Sequence, residues 1–182
     1  MPTTDTSVCT QTRVWLREET APAHDRVDRA FSAFDLARDP DLFAFLRAQG
    51  AGLAAARAAL EAHGRGDWAA VLDARLSAIA HDLGEKLTPT ISPLHVSEPA
   101  GVAYVCAGSL HGTAVLRARV QRLRPGRCVP RFFAGRGWKP MWAEVLSELE
   151  SLGRTEALLA SANATFAAFA EAAHTQLHVE AA

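Results

Sequence analysis

Apolar residues recur along this chain at three- and four-residue intervals, the period of amphipathic helices. From Thr12 to about Phe31, Leu16, Thr20, His24, Val27 and Phe31 fall on one broad stripe. Pro22 interrupts that pattern by one backbone hydrogen bond or a kink. Asp39-Pro40-Asp41 reads as a helix start, its acids suited to the positive end of the dipole. The helix that follows turns Leu42, Phe45, Leu46, Leu53 and Leu60 inward, and Gly50 and Gly52 weaken it or admit a close neighbour. After a turn at Gly64 to Gly66, Asp67 is expected to cap a helix burying Trp68, Val71, Leu72, Leu76, Ile79 and Leu83.

Residues 84 to 99 contain Pro89, Pro93 and Pro99 and read as a connector. A long helix is expected from Pro99 to Leu123, stopped by Arg124-Pro125-Gly126 and followed by a loop to residue 138. Pro140 opens a short helix that ends near Gly153. A last helix from Thr155 to about His178 buries Leu158, Leu159, Phe166, Phe169 and Leu177. The first dozen residues are polar and Thr-rich, so residues 1–11 are expected to fray, with one domain over 12–180. The fold class is all-α, a single-domain irregular helical bundle.

Composition supports that reading. Ala is abundant while Tyr and Ile are sparse, which favours helix over sheet. A net charge of −1 argues against a general nucleic-acid binder. Cys9, Cys106 and Cys128 are scattered with no CxxC pair, so neither a disulfide framework nor a structural zinc site is indicated; Cys106 lies in an apolar segment and should be buried. The N-terminus has no apolar run after a basic start, and no stretch is long enough to span a bilayer. The expectation is a cytoplasmic protein with no membrane association.

Two segments carry candidate chemistry. On the first helix Leu16, Thr20 and His24 share a face, and Asp28 stands one turn beyond His24. A metal-ligating histidine usually has its second ring nitrogen held by a carboxylate or carbonyl, and Asp28 is spaced to do that. A lone His on such a face is also compatible with ordinary packing. On the fourth helix Gly108 and Gly112 open one face at a cost of roughly 2 kcal/mol relative to two alanines. Either another helix or some other group comes close to the backbone there, or the helix bends.

Together these segments resemble the haem oxygenase family. Leu16, Arg17, Thr20 and His24 match its Leu-basic-x-x-Thr-x-x-x-His pattern; Gly108, Ser109 and Gly112 match its Gly-(Asp or Ser)-x-x-Gly distal motif. Trp142 and the run 162–169 look like the family's closing helices, so the likeness spans residues 12 to about 178. The Ser version and the Tyr104-Val105 lead-in are similar to bacterial members, including those associated with bacteriophytochromes.

The resemblance implies an all-helical fold in which haem is both cofactor and substrate, opened by O2 to biliverdin, CO and ferrous iron. It implies His24 as proximal iron ligand with Asp28 behind it. Haem contacts are implied for Arg17, Thr20, Tyr104 and Phe166, Arg17 at a propionate. Gly108 and Gly112 would let the backbone crowd bound O2, with Ser109 beside them in a solvent network. The implied electron donor is a ferredoxin, flavodoxin or reductase, and a bacteriophytochrome is the implied bilin acceptor.

Residues 117 to 143 hold Arg117, Arg119, Arg122, Arg124, Arg127, Arg131, Arg136 and Lys139 with no acid. They form either a solvated basic face or one that steers an acidic ferredoxin and supplies further propionate partners.

His111 departs from the family pattern, because a small or aliphatic residue is usual there. It projects about 100° around the helix from Gly112. It packs sideways, ligates iron opposite His24, or donates a hydrogen bond to bound O2. With two His ligands the protein becomes a non-catalytic haem sensor or carrier on the same fold. Thr113 adds bulk to the same region.

Overall fold

The computed structural model describes residues 6–87, 90–134 and 138–180; for residues 6–10, 111, 138 and 180 it describes the backbone alone. Six α-helices follow one another: α1 (Thr6–Ser32), α2 (Asp39–Ala62), α3 (Gly66–Leu83), α4 (Pro99–Leu123), α5 (Trp138–Leu152) and α6 (Glu156–Glu180). A single 3-10 turn, Arg131–Ala134, lies between α4 and α5, and the described residues contain no strand. The all-α expectation holds, and no described helix is long and apolar enough to cross a membrane.

Helix boundaries follow local chemistry. Helix α2 begins at Asp39 with Pro40 in its first turn, where a missing N–H costs nothing, and Asp39 and Asp41 face the positive dipole end. Helix α4 starts at Pro99, and the Glu98 side chain accepts a 3.1 Å bond from the Ala100 N–H. Thr155 Oγ1 takes the Leu158 N–H at the start of α6. Glycines with positive φ at Gly64, Gly84, Gly126 and Gly153 turn the chain after α2, α3, α4 and α5.

Two boundaries differ from expectation. Helix α1 begins at Thr6, six residues early, because extending an anchored helix adds one hydrogen bond for each residue ordered. Pro22 lies inside α1 without ending it; the position is exposed, so water can take the freed carbonyl. The N-cap of α3 is Arg65, not Asp67. Arg65 is held there because its guanidinium stacks 3.2 Å above the Trp68 ring and bonds Glu148 of α5 at 2.7 Å. The 3-10 turn was not foreseen either. It is pinned from outside, by the Asp82 carboxylate accepting the N–H groups of Arg131 and Phe132 at 2.9 and 2.8 Å.

Helix α6 is the shared partner of α1, α2 and α4, and α2 also packs on α3. The apolar residues expected inward on α2 are all buried, as are Trp68, Leu72, Ile79, Leu158, Phe166 and Phe169; Val71, Leu76, Leu83, Leu159 and Leu177 are only partly covered. Phe31, Phe34, Phe45, Phe132 and Phe133 form an aromatic cluster joining α1, α2 and the 3-10 turn. Gly52 admits the Phe169 ring: a Cβ there would lie 2.4 Å from it. Gly101 lets α4 cross α6, since its Cβ would sit 2.7 Å from the Leu158 carbonyl oxygen.

Candidate functional site

Along α1 the predicted face divides in two. Leu16 and Thr20 are buried, and the Thr20 hydroxyl donates to the Leu16 carbonyl at 2.6 Å. One turn on, His24 leaves the core, its side chain 58% exposed. Its ring meets the buried Phe166 of α6 edge-on, with centroids 5.6 Å apart. Nδ1 lies 3.2 Å from a carboxylate oxygen of Asp28. Nε2 makes no hydrogen bond or ion pair among the described residues, so that nitrogen is the one available to a ligand.

Helix α4 carries the second candidate segment. Cys106 is buried, as expected. Tyr104 is half-buried, inclined to the Trp142 ring at 6.0 Å, and its hydroxyl is within reach of Thr20. Burial pushes the Tyr104 phenol above its usual pKa, while nearby Arg13, Arg17 and Thr20 act in the other direction. Gly108 and Gly112 follow at one-turn intervals on that face, and a Cβ at either would meet nothing within 4 Å. The glycine pair is therefore not where another helix crosses; Gly101 is. Helix α4 stays helical throughout. The Ser109 hydroxyl donates to the Cys106 carbonyl at 2.7 Å, and that of Thr113 to the Ser109 carbonyl at 3.4 Å. The His111 side chain lies outside the described residues.

Helices α1 and α4 do not pack along each other; each lies on α5 and α6. They meet where Thr20 approaches Tyr104. Helical register carries those two faces on to His24 and to Gly108 and Gly112. Helix α1 thus carries an imidazole whose Nε2 makes no hydrogen bond among the described residues, and α4 carries bare backbone at Gly108 and Gly112. Taken singly, these residues suit a flat, metal-bearing group: a nitrogen for the metal, and backbone that no side chain covers.

Arg17 is exposed and makes no ion pair among the described residues, and Arg13, which the sequence pattern did not single out, joins it near Tyr104. Within the basic segment Arg117, Arg119, Arg122, Arg127, Arg131 and Lys139 are exposed, whereas Arg124 is buried. Arg124 and Arg127 both bond Asp39, whose carboxyl they hold below the usual aspartate range. Those two cations therefore fasten the turn after α4 to the start of α2. Arg136 lies outside the described residues.

The chain is similar in structure to the haem oxygenase of Neisseria meningitidis, solved with NO and CO bound. The TM-score is 0.63 at 21% sequence identity, over 92% of this chain and 89% of that one. The fold is thus the all-α haem oxygenase fold. No protein-family model and no curated protein sequence matches the chain.

Proposed function

We propose that this protein is a haem oxygenase of bacterial type, working in the cytoplasm and opening haem to biliverdin, CO and ferrous iron with O2 and reductase- or ferredoxin-derived electrons. What supports this reading is the haem oxygenase fold, carrying a free His24 Nε2 on α1 and open backbone at Gly108 and Gly112 on α4.

His24 would hold the iron through Nε2, with Asp28 fixing the tautomer through Nδ1 and making the imidazole a stronger donor. Phe166 against the ring limits its rotation. Arg13 and Arg17, beside Tyr104 and without an ion pair among the described residues, suit the carboxylates of the propionate groups. Bound haem would supply the iron that activates O2 and would itself be the molecule cleaved. Gly108 and Gly112 leave room for O2 and bar nothing with a side chain. Ser109 gives its hydroxyl proton to the Cys106 carbonyl, so its oxygen can only accept from water on that face. Proton supply then depends on ordered water. The exposed arginines of α4 give an acidic donor protein a surface of opposite charge, and a bacteriophytochrome is the proposed bilin acceptor.

Titration with haem followed by reduction in air tests the proposal. The expected result is a one-to-one complex with a Soret band lost in His24→Ala, then decay of that band and release of a bilin. Haem that only cycles between ferric and ferrous forms would favour the sensor or carrier reading with His111 as second ligand. Absence of any His24-dependent Soret band would leave a helical interaction module that binds no haem.

A further inference from the structure

Past the end of α3 a cavity of about 180 Å3 opens between α2 and α6, lined by Arg47, Glu85, Lys86, Leu87, Thr90 and Gln176. Gly50 lets its wall come in, since a Cβ there would lie 3.0 Å from Leu87. Gln176 of α6 is 7% exposed, and its amide makes no hydrogen bond among the described residues. Buried amides in native folds ordinarily have partners, and this one faces the cavity. Arg47 donates through Nε to Glu85 at 2.7 Å, which leaves its Nη groups without a partner among the described residues. In return Arg47 holds the Glu85 carboxyl below the usual glutamate range, so Glu85 is ionised and can only accept. Lys86 makes no ion pair and the Thr90 hydroxyl no hydrogen bond among the described residues. The nearby Ala80 and His81 carbonyls are already taken by the N–H groups of Glu85 and Gly84.

We infer that this cavity is a binding site for a small tetrahedral oxyanion that still carries a proton, of the hydrogen phosphate class. The volume holds about six waters at roughly 30 Å3 each, so an ion of five heavy atoms fits. Two cations and one carboxylate leave the lining with a positive excess. Its donors come from three elements: Arg47 Nη on α2, Lys86 and Thr90 after α3, and the Gln176 amide on α6. The diverging oxygens of a tetrahedral ion can meet all three, whereas both oxygens of a planar carboxylate lie to one side. Glu85 reads the proton. Hydrogen phosphate offers it a P–OH donor, while sulfate, of the same shape but without a proton, would set oxygen against oxygen. The site is separate from the proposed haem gap, because Phe166, which touches His24, lies ten residues back along α6, about 15 Å away.

Inorganic phosphate is the probe, with sulfate at matched ionic strength as control, and thermal unfolding of the full chain as the readout. Phosphate at ten times its Kd should raise Tm by about 3–6 °C, and the rise should saturate. Sulfate should give only the small, non-saturating rise of an ion excluded from the protein surface. Lys86→Gln, and Gln176→Leu, which replaces the amide by an apolar group of similar size, should each require at least about tenfold more phosphate. Glu85→Gln, whose amide can donate, should make the sulfate response saturate as well. A wild-type chain that does not respond to phosphate, or that responds equally to sulfate, would overturn the inference. So would a phosphate response unchanged in both Lys86→Gln and Gln176→Leu, since the ion would then sit elsewhere, or a Glu85→Gln chain that still excludes sulfate. Should Gln176→Leu fail to fold, the Lys86→Gln and Glu85→Gln titrations decide the matter.

Discussion

His24 Nδ1 and a carboxylate oxygen of Asp28 are 3.2 Å apart across one turn of α1. Helical spacing brings them together, and the consequence is chemical, because the proton on Nδ1 is held and the Nε2 lone pair points outward. Replacing Asp28 by Ala should leave the fold intact, since the pair is exposed, yet weaken haem binding by about 10–100-fold. Titration monitored at the Soret band measures this directly. An affinity equal to wild type would mean that Asp28 does not support the ligand.

Gly108 and Gly112 should separate binding from turnover. Nothing lies within 4 Å of an added Cβ at Gly108, so Gly108→Ala should be neutral or stabilising by about 0.5–1 kcal/mol. Gly108→Leu or Gly112→Leu should abolish bilin formation while largely keeping haem affinity, because the side chain would fill the O2 space. Parallel measurement of Tm, haem affinity and bilin yield checks this. Equal loss of affinity and turnover would count against the placement of the distal wall.

The opposite outcome is expected at Gly101 and Gly52. Gly101→Ala would drive a methyl into the α6 backbone at Leu158 and Ala162, and Gly52→Ala would drive one into the Phe169 ring. Each should cost about 1–3 kcal/mol, read as a fall in Tm of about 2–4 °C per kcal/mol. Gly101→Ala should be the worse of the two, since backbone cannot move aside as a ring can. A Tm within a degree of wild type for Gly101→Ala would contradict the close crossing.

Asp39 links acid stability to the join between α2 and α4. Its folded pKa is depressed, chiefly by the hydrogen bond from Arg124 and then by that from Arg127. The unfolded chain takes up this proton near the ordinary aspartate value, the folded chain only at lower pH. The pair's contribution is therefore present above that ordinary value and is lost as pH falls through the folded value. Asp39→Asn should lower Tm at neutral pH and flatten its decline between about pH 4 and pH 2. An unchanged acid limb, measured by thermal melts across that range, would show that the bonds contribute nothing to stability.

Much of the architecture was legible because it rests on local rules. The 3.6-residue period, the proline and acid start signals and the glycine stops put α2 and α4 at their observed limits, and α1 contributed the His24–Asp28 spacing. The likeness to haem oxygenases was carried by the same short stretches. What the sequence could not express was distance between elements. Gly101, Gly108 and Gly112 look alike in one dimension; only the packing of α6 on α4 makes the first a crossing point and leaves the other two open. Asp82 and Arg131 are 49 residues apart, so the 3-10 turn they secure has no local signature. Arg75 interrupts the apolar pattern of α3 as a surface arginine would, and its burial follows from Phe132 folding over it. Periodicity records which face of a helix turns inward, whereas the partner it meets there is set by the three-dimensional path of the rest of the chain.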